Sequence, residues 1–172
     1  MYQLPHYALS LDLGTTLGWA KCIDGVIVES GVADLRPGCH KDDPQYEGAR
    51  GEIFWNWLLE NHQDCDEIYY EHVVGFQYST QAMSVYFGLR QLMKLFCLMY
   101  GRKKSYPIHT TTLKHRFTDN GRAKKHEMCQ MAIDLGWKNG ARGTDLNHDE
   151  ADAIAMVFVK QLEIYDHRVT FL

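Results

Sequence analysis

Four acidic residues lie at positions that packing alone explains poorly. Asp12 follows the apolar segment Tyr7–Leu11 and precedes a small-residue turn, and Glu71 ends the aromatic segment EIYYE. Asp149 and Asp152 are three residues apart, so on a helix they would share one face. Because packed carboxylates repel one another and each then resists ionising, a bound cation would be needed to relieve the repulsion.

Carboxylate oxygens are the ligands that Mg²⁺ prefers, and Mn²⁺ is expected to substitute for it. Two such ions about 4 Å apart can activate a water and stabilise the leaving oxygen of a phosphodiester. Three of the four acids also have a structural explanation. Asp12 would form a turn, Glu71 would mark the exit of a strand into solvent, and Asp149 would favour a helix N-terminus. Asp152 is the exception, because its neighbours on both sides are apolar.

The turn in the stretch LSLDLGTTLGWA leaves two chemistries open. In the actin, sugar-kinase and heat-shock-chaperone superfamily such a turn holds the phosphates of ATP. In ribonuclease-H-like nucleases the aspartate holds a metal ion instead. A length of 172 residues fits a single domain over 1–172, whereas such an ATPase closes two domains over its nucleotide. The length therefore favours the metal site.

Basic residues concentrate in one segment of an acidic chain. The formal net charge is −4, yet eight of the 18 Lys and Arg residues lie in residues 102–125, where Asp119 is the one acid. A solvated surface and a phosphate-binding face both remain open for this segment. Its basic members are Arg102, Lys103, Lys104, Lys114, Arg116, Arg122, Lys124 and Lys125.

The elements that must position these groups follow from hydrophobic periodicity and turn signals, such as Asp24-Gly25 between two strands. Predicted strands cover Tyr7–Asp12, Gly18–Ile23, Val26–Val32, Glu67–Glu71 and Tyr106–His109. A first helix is predicted to begin after Asp43, which would be its N-cap. Four more predicted helices cover Thr80–Tyr100, Thr110–Phe117, Lys124–Leu135 and Asn147–Tyr165. In the last of these, Asn147 and Glu150 would form a cap pair. Three strands followed by alternating helices and strands predict an α/β fold, a mixed five-stranded sheet flanked by helices.

The predicted helix Thr80–Tyr100 is apolar around most of its circumference. Such a helix must be covered on two sides, and one of them is the sheet. The second cover is either neighbouring helices or the same helix of a second subunit.

Four segments together resemble the RuvC family of Holliday junction resolvases, particularly its phage-encoded relatives. They are LSLDLGTTLGWA with Asp12, IYYEHVVGF with Glu71, LKHRFTDNGRAKKHEM, and HDEADAIAMVFV with Asp149 and Asp152. The resemblance covers nearly the whole chain and implies a ribonuclease-H-like fold. It also implies a dimeric, Mg²⁺-dependent endonuclease that resolves four-way junctions and other branched DNA in recombination, repair or phage DNA processing. The four acids would be its catalytic metal ligands, for two ions.

The same resemblance assigns two lysines. RuvC-like enzymes carry functional lysines eleven residues apart around a glycine-containing loop, and Lys114 and Lys125 match this spacing across Gly121. In the family one lysine approaches the scissile phosphate and the other helps to hold the DNA. Arg116, Arg122 and Lys124 would extend this DNA-binding segment.

Two positions depart from the family pattern. An aromatic residue that meets bases at the crossover often follows the glutamate directly, but here VVG intervenes, so Phe76 and Tyr78 are the nearest candidates. Some members use histidine as the penultimate ligand, and His148 adjoins Asp149. The spacing of three to Asp152 favours Asp149 as the ligand.

The five cysteines are widely spaced and form no C-x-x-C motif, which favours free thiols in a reducing cytoplasm. The resemblance to the RuvC family implies that this is the cytoplasm of a bacterial or phage-infected cell. A zinc site around Cys39 and His40 is the alternative use of these residues. No signal peptide or membrane-spanning run is present, so no membrane partner is expected. Alternative functions are another ribonuclease-H-like nuclease, acting on RNA or DNA flaps, and a non-catalytic junction-binding protein.

Overall fold

Five strands and five helices make up the part of the chain that the computed structural model describes, which is residues 6–74, 79–101, 103–137 and 146–169, with backbone only for 164–169. Along the chain they are β1 Tyr7–Asp12, β2 Thr16–Ile23, β3 Val26–Asp34, α1 Tyr46–His62, β4 Glu67–His72, α2 Thr80–Met99, β5 Lys104–His109, α3 Thr110–Thr118, α4 Lys125–Asp134 and α5 His148–Val169. No described helix has the length and apolar character needed to span a membrane.

The strands form one mixed sheet in the order β3-β2-β1-β4-β5. β2 pairs antiparallel with β1 and β3, whereas β1, β4 and β5 run parallel. The β2–β3 hairpin turns at Asp24 and Gly25, which both have positive φ (48° and 84°), as the aspartate–glycine signal predicts. The predicted mixed five-stranded sheet flanked by helices is confirmed.

Each face of the sheet has its own hydrophobic core, because alternate side chains of a strand point to opposite faces. Leu9 and Leu11 of β1 point to the face covered by α1 and α2, where Phe54, Leu58, Leu89, Met93 and Phe96 are buried. Ala8 and Ala20 point to the face covered by α3, α4 and α5. Their small size allows α5 to lie close to the strands.

α2 buries one side and exposes apolar residues on the other. Leu89, Met93 and Phe96, which the sequence left without an orientation, are all buried in the α1–α2 core. Four large apolar side chains of α2 are exposed instead: Phe87, Leu95, Leu98 and Met99. Within one chain, α1 and the sheet therefore cover a single side of this helix.

The predicted start of α1 is wrong. The helix begins at Tyr46, and its N-cap residue, Gln45, makes no side-chain capping hydrogen bond. Asp43 does not cap the helix, because its carboxylate accepts a hydrogen bond from the backbone N–H of Gln45 (2.8 Å) in the preceding turn. Aspartate commonly binds the backbone two residues ahead of it, and here that local turn takes precedence over helix capping.

Candidate active site

Asp12 and Glu71 lie side by side at one edge of the sheet. β1 and β4 are parallel neighbours in which Leu11 is paired with Tyr70, so the next residue of each strand is an acid at the carboxyl end. In open α/β sheets, ligands bind at the carboxyl ends of parallel strands. The predicted convergence of these two acids therefore follows directly from the strand register.

α5 brings the other two acids to the same edge by packing closely on β1 and β2. A Cβ atom placed on Gly18 of β2 would lie only 1.9 Å from the carbonyl oxygen of Asp149, so glycine is required there. Ser10 of β1 donates a hydrogen bond to the carbonyl of Ala153 (2.7 Å). These contacts fix both the depth and the axial position of the first two turns of α5.

Glu150 also ties α5 to the sheet, in a way that the predicted cap pair does not describe. Its buried carboxylate accepts a hydrogen bond from the hydroxyl of Ser30 on β3. Asn147 caps the helix by accepting the backbone N–H of Asp149 (2.8 Å). Glu150 thus faces β3 and leaves Asp149 and Asp152 to face the edge of the sheet.

The four acids and both lysines line one cavity of about 290 Å³. The walls of the cavity are formed by the turn after β1, the carboxyl end of β4 and the first turns of α2, α3, α4 and α5. The polar side chains that line it are Asp12, Thr15, Thr16, Glu71, Tyr86, Thr110, Lys114, Lys125, Asp149 and Asp152. With both lysines charged and all four acids ionised, the cavity carries more negative than positive charge.

Burial raises the pKa values of Asp12, Glu71 and Asp152. The pKa of Asp12 lies well above its usual range, first because of burial and then because of the charges of Glu71, Asp152 and Asp149. Burial, followed by the charge of Glu71, raises the pKa of Asp152 to about 7. Such values are typical of carboxylates gathered for a function rather than for stability.

The ionised carboxylate of Glu71 is stabilised by one hydrogen bond and by two nearby lysines, which partly offset the effect of its burial. Burial raises its pKa, while a hydrogen bond from Thr110 and the charges of Lys114 and Lys125 oppose this rise. Thr110 is the first residue of α3, so the end of β5 delivers a hydroxyl group directly to the acid at the end of β4. The two lysines are therefore close enough to act on the acids electrostatically.

His148 joins Lys125 to Asp149. Its Nδ1 lies 2.5 Å from a carboxylate oxygen of Asp149, and both ring nitrogens lie 3.2 Å from Nζ of Lys125. Asp149 lines the cavity and His148 does not, and Asp149 as the ligand stays a prediction.

Tyr86 is a site residue that sequence reasoning missed. Its hydroxyl donates a hydrogen bond to the carbonyl of Glu71 (2.9 Å) and accepts one from the N–H of Val73 (3.4 Å). The hydroxyl therefore ties the carboxyl end of β4, from Glu71 to Val73, to α2. In the sequence, Tyr86 is one aromatic residue among many in an apolar helix, and nothing in its spacing marks this contact.

The predicted DNA-binding residues fall into two groups. Arg116, Arg122 and Lys124 are exposed on α3, the α3–α4 connection and the N-cap of α4, in the segment between Lys114 and Lys125. Phe76 and Tyr78 lie outside the described residues.

The basic segment does not form one surface. Lys103 lies just before β5 and donates its Nζ to the carbonyl of Cys65 (2.5 Å), and Lys104 begins β5. Both therefore lie at the opposite edge of the sheet from the acids. Arg102 falls outside the described residues.

The donor set suits a hard divalent cation, but no complete coordination shell is preformed. Four carboxylates in one cavity are oxygen ligands of the kind that Mg²⁺ and Mn²⁺ prefer. Burial raises the pKa values of Asp12, Glu71 and Asp152, so a bound cation would stabilise their ionised forms. Among the described residues, no three His, Cys, Asp or Glu side chains are yet arranged to hold an ion together. This finding includes Cys39 and His40, which are exposed.

No protein-family model and no curated protein matches the chain. Its structure is similar to that of RuvC from Thermus thermophilus, with a TM-score of 0.69, 17% identity, and coverage of 94% of this chain and 96% of that one. The chain has the RuvC fold. A second structure with this fold, T. thermophilus RuvC in complex with a Holliday junction substrate, gives a TM-score of 0.66 at 15% identity and covers 92% of this chain and 94% of that one. The ribonuclease-H-like architecture expected from the sequence is thereby confirmed.

Proposed function

We propose that the chain is a metal-dependent endonuclease that resolves Holliday junctions and other branched DNA. The single observation that carries this proposal is the shared cavity of Asp12, Glu71, Asp149 and Asp152 with two lysines. The RuvC fold supports it, because one of the similar structures is a RuvC bound to a Holliday junction. DNA recombination or phage DNA processing, in a bacterial or phage-infected cytoplasm, is the setting that this activity fits.

In this proposal the four acids hold two Mg²⁺ ions, for which Mn²⁺ can substitute. When bound, such ions activate the attacking water and stabilise the leaving oxygen of a phosphodiester. One of Lys114 and Lys125 approaches the scissile phosphate and offsets the charge that develops on it, and the other helps to hold the DNA. His148 orients Lys125 toward the cavity, and Thr110 and Tyr86 hold Glu71 in place by its carboxylate and its backbone.

The DNA follows the exposed basic residues of α3 and α4. Arg116, Arg122 and Lys124 are exposed in the segment between Lys114 and Lys125 and would supply contacts to phosphates beyond the cleaved one. Contacts of this kind hold any DNA, so the selection of a junction must come from the arrangement of two sites.

A homodimer formed through α2 supplies that arrangement. Four large apolar residues of α2 are exposed in the single chain, and Leu98 retains 64% of its accessible surface. A second copy would bury this side, and its two-fold symmetry would match that of a four-way junction. Two cavities would then face two strands of equal polarity.

The test is cleavage of an immobile four-way junction beside duplex, flap and RNA–DNA hybrid substrates, in Mg²⁺, Mn²⁺ and EDTA. We expect paired cuts in the junction with either metal and none in EDTA. Asp12→Asn should bind the junction as the wild type does and cut it at least about 100-fold more slowly, because DNA binding rests on cations and cutting on the acids. Asp134→Asn, which changes an exposed acid of α4, is the matched control and should cut normally.

Each other outcome has a definite meaning. Faster cutting of flap or hybrid than of the junction would assign the site to a different ribonuclease-H-like nuclease. Junction binding without cutting in either metal would make the chain a junction-binding protein. Wild-type cutting rates in Asp12→Asn would remove these acids from the reaction.

A further inference from the structure

A second group of basic side chains lies on the α2 side of the sheet. His72 ends β4 one residue after Glu71, so by alternation it points to the α2 face together with Tyr70. His109, its partner in the β4–β5 register, stands beside it with ring centroids 4.8 Å apart. Arg90 and Lys94, on successive turns of α2, are close enough to act on His72 electrostatically. His72, His109, Arg90 and Lys94 are called here the α2 basic cluster.

The cluster has no acidic partner among the described residues, in which none of the ion pairs includes any of its four members. The guanidinium of Arg90 lies over the ring of Tyr70 (5.8 Å), and its buried Nε makes no hydrogen bond. Nδ1 of His72 is also buried without a partner. The cluster therefore concentrates positive charge with no acid beside it. Arg90 and Lys94 are half-buried, so an anion outside the chain can contact their exposed parts and offset this charge.

The position of the cluster relates it to the cavity. Tyr86, which lines the cavity, lies one turn before Arg90 and two turns before Lys94 on the same helix. These two cations are thus roughly 6 and 12 Å beyond the cavity wall along α2. One strand of duplex DNA carries a phosphate every roughly 3.4 Å along the axis, so they lie within two to four phosphates of the cavity.

We propose that the α2 basic cluster binds backbone phosphates of a DNA arm that leaves the cavity on the α2 side. This inference rests on the proposed function and adds a second binding surface to it. Lys114 of α3 and Lys125 of α4 line the cavity, and the α2 basic cluster lies beyond the wall that α2 gives it. A DNA strand whose phosphate is placed at the acids must continue in both directions, and each direction then meets positive charge.

The test replaces Arg90 and Lys94 together by Gln. Lys104→Gln is the control for loss of a positive charge away from the cluster, since it removes one such charge at the other end of β5, roughly 16 Å from His109. Binding of a fluorescent four-way junction is measured by anisotropy in EDTA at several KCl concentrations. We expect the double variant to bind at least about tenfold more weakly, and the slope of log affinity against log salt to fall by about 1.8, the value for two lost phosphate contacts. The control should match the wild type.

Ethylation interference locates the contacts on the DNA. With the wild-type chain, ethylated phosphates should interfere on both sides of the cleavage position, and in the double variant the interference on one side should disappear. A salt slope and an interference pattern equal to those of Lys104→Gln would overturn the inference.

A folding defect does not obscure the result. If loss of the contact with Tyr70 unfolds Arg90→Gln, then Lys94→Gln alone decides, with an expected fall in slope of about 0.9. An unchanged slope in a folded Lys94→Gln protein would count against the cluster. Arg90→Lys, which retains the charge, should keep the salt slope of the wild type. Failure of the proposed function is seen separately, as wild-type protein that binds the junction but does not cut it with Mg²⁺ or Mn²⁺.

Discussion

Gly18→Ala tests how the packing of α5 sets the position of its acids. The added methyl group would lie 1.9 Å from the carbonyl oxygen of Asp149, 2.2 Å from its carbonyl carbon and 2.9 Å from the backbone nitrogen of Glu150. All three are backbone atoms, so no side chain can rotate to make room. The backbone of Gly18 is not in the left-handed region and would itself accept alanine. Any effect of the substitution therefore comes from this contact.

The magnitude follows from the overlap. An ordinary contact begins at 3.4 Å, so the first turn of α5 must move by about 1.5 Å. Overpacking of this kind costs roughly 1–3 kcal/mol of unfolding free energy. Displacement of a positioned catalytic group by about 1 Å lowers the rate roughly 100-fold. The substitution should therefore affect both stability and cleavage, with the larger relative effect on cleavage.

Urea unfolding followed by circular dichroism measures the loss of stability. Single-turnover cleavage of a four-way junction, at a temperature well below the thermal unfolding midpoint of the variant, measures the loss of cleavage. Gly48→Ala is the control. Nothing lies within 4 Å of its added methyl group, and it should stabilise α1 by about 0.5–1 kcal/mol with no change in cleavage. Wild-type stability and cleavage in Gly18→Ala would refute the packing argument. Lost stability with full cleavage would separate this contact from the positioning of Asp149.

Three further outcomes are expected. The pKa of Asp152 is raised to about 7 from an ordinary 3.8, so the folded chain keeps this proton to higher pH than the unfolded chain. In EDTA the unfolding free energy should therefore fall as pH rises from about 4 to about 7, and Asp152→Asn should make this fall smaller. A rise of the unfolding free energy across this window would contradict the electrostatics. Arg122→Ala with Lys124→Ala should weaken binding to junction and duplex alike and reduce the salt slope, and equal affinities at all salt concentrations would make both residues mere solvated surface. Leu95→Glu should give a folded monomer by light scattering and Leu89→Glu an unfolded chain by circular dichroism, whereas a dimeric Leu95→Glu protein would remove α2 from the subunit contact.

Much of the fold was predictable because local signals and packing agree. The aspartate–glycine turn fixed the β2–β3 hairpin, and the apolar runs of β1 and β4 are buried strands as expected. The acid positions were predictable for the same reason, since Asp12 and Glu71 end strands that the periodicity already placed. The failure at Asp43 came from one local hydrogen bond that competes with helix capping.

Contacts between distant segments were not predictable from single residues. The buried side of α2 depends on where α1 and the sheet lie, so the periodicity of an all-apolar helix left it open. Gly18 and the α5 backbone meet across more than 100 residues of chain, and the Tyr86 hydroxyl of α2 binds the backbone of Glu71 and Val73. No pattern of spacing within one segment encodes such contacts.

The division of the acids between the first half of the fold and α5 has a consequence during synthesis. Asp12 and Glu71 are in place once β4 has formed, but α5 begins 77 residues after Glu71. At about 5–20 residues per second, a ribosome needs roughly 4–15 s to supply that stretch. Until α5 emerges, the nascent chain holds half of the acid set, and the face of β2 that α5 will cover remains open. The complete cavity, with all four acids, therefore forms only when α5 docks on the sheet.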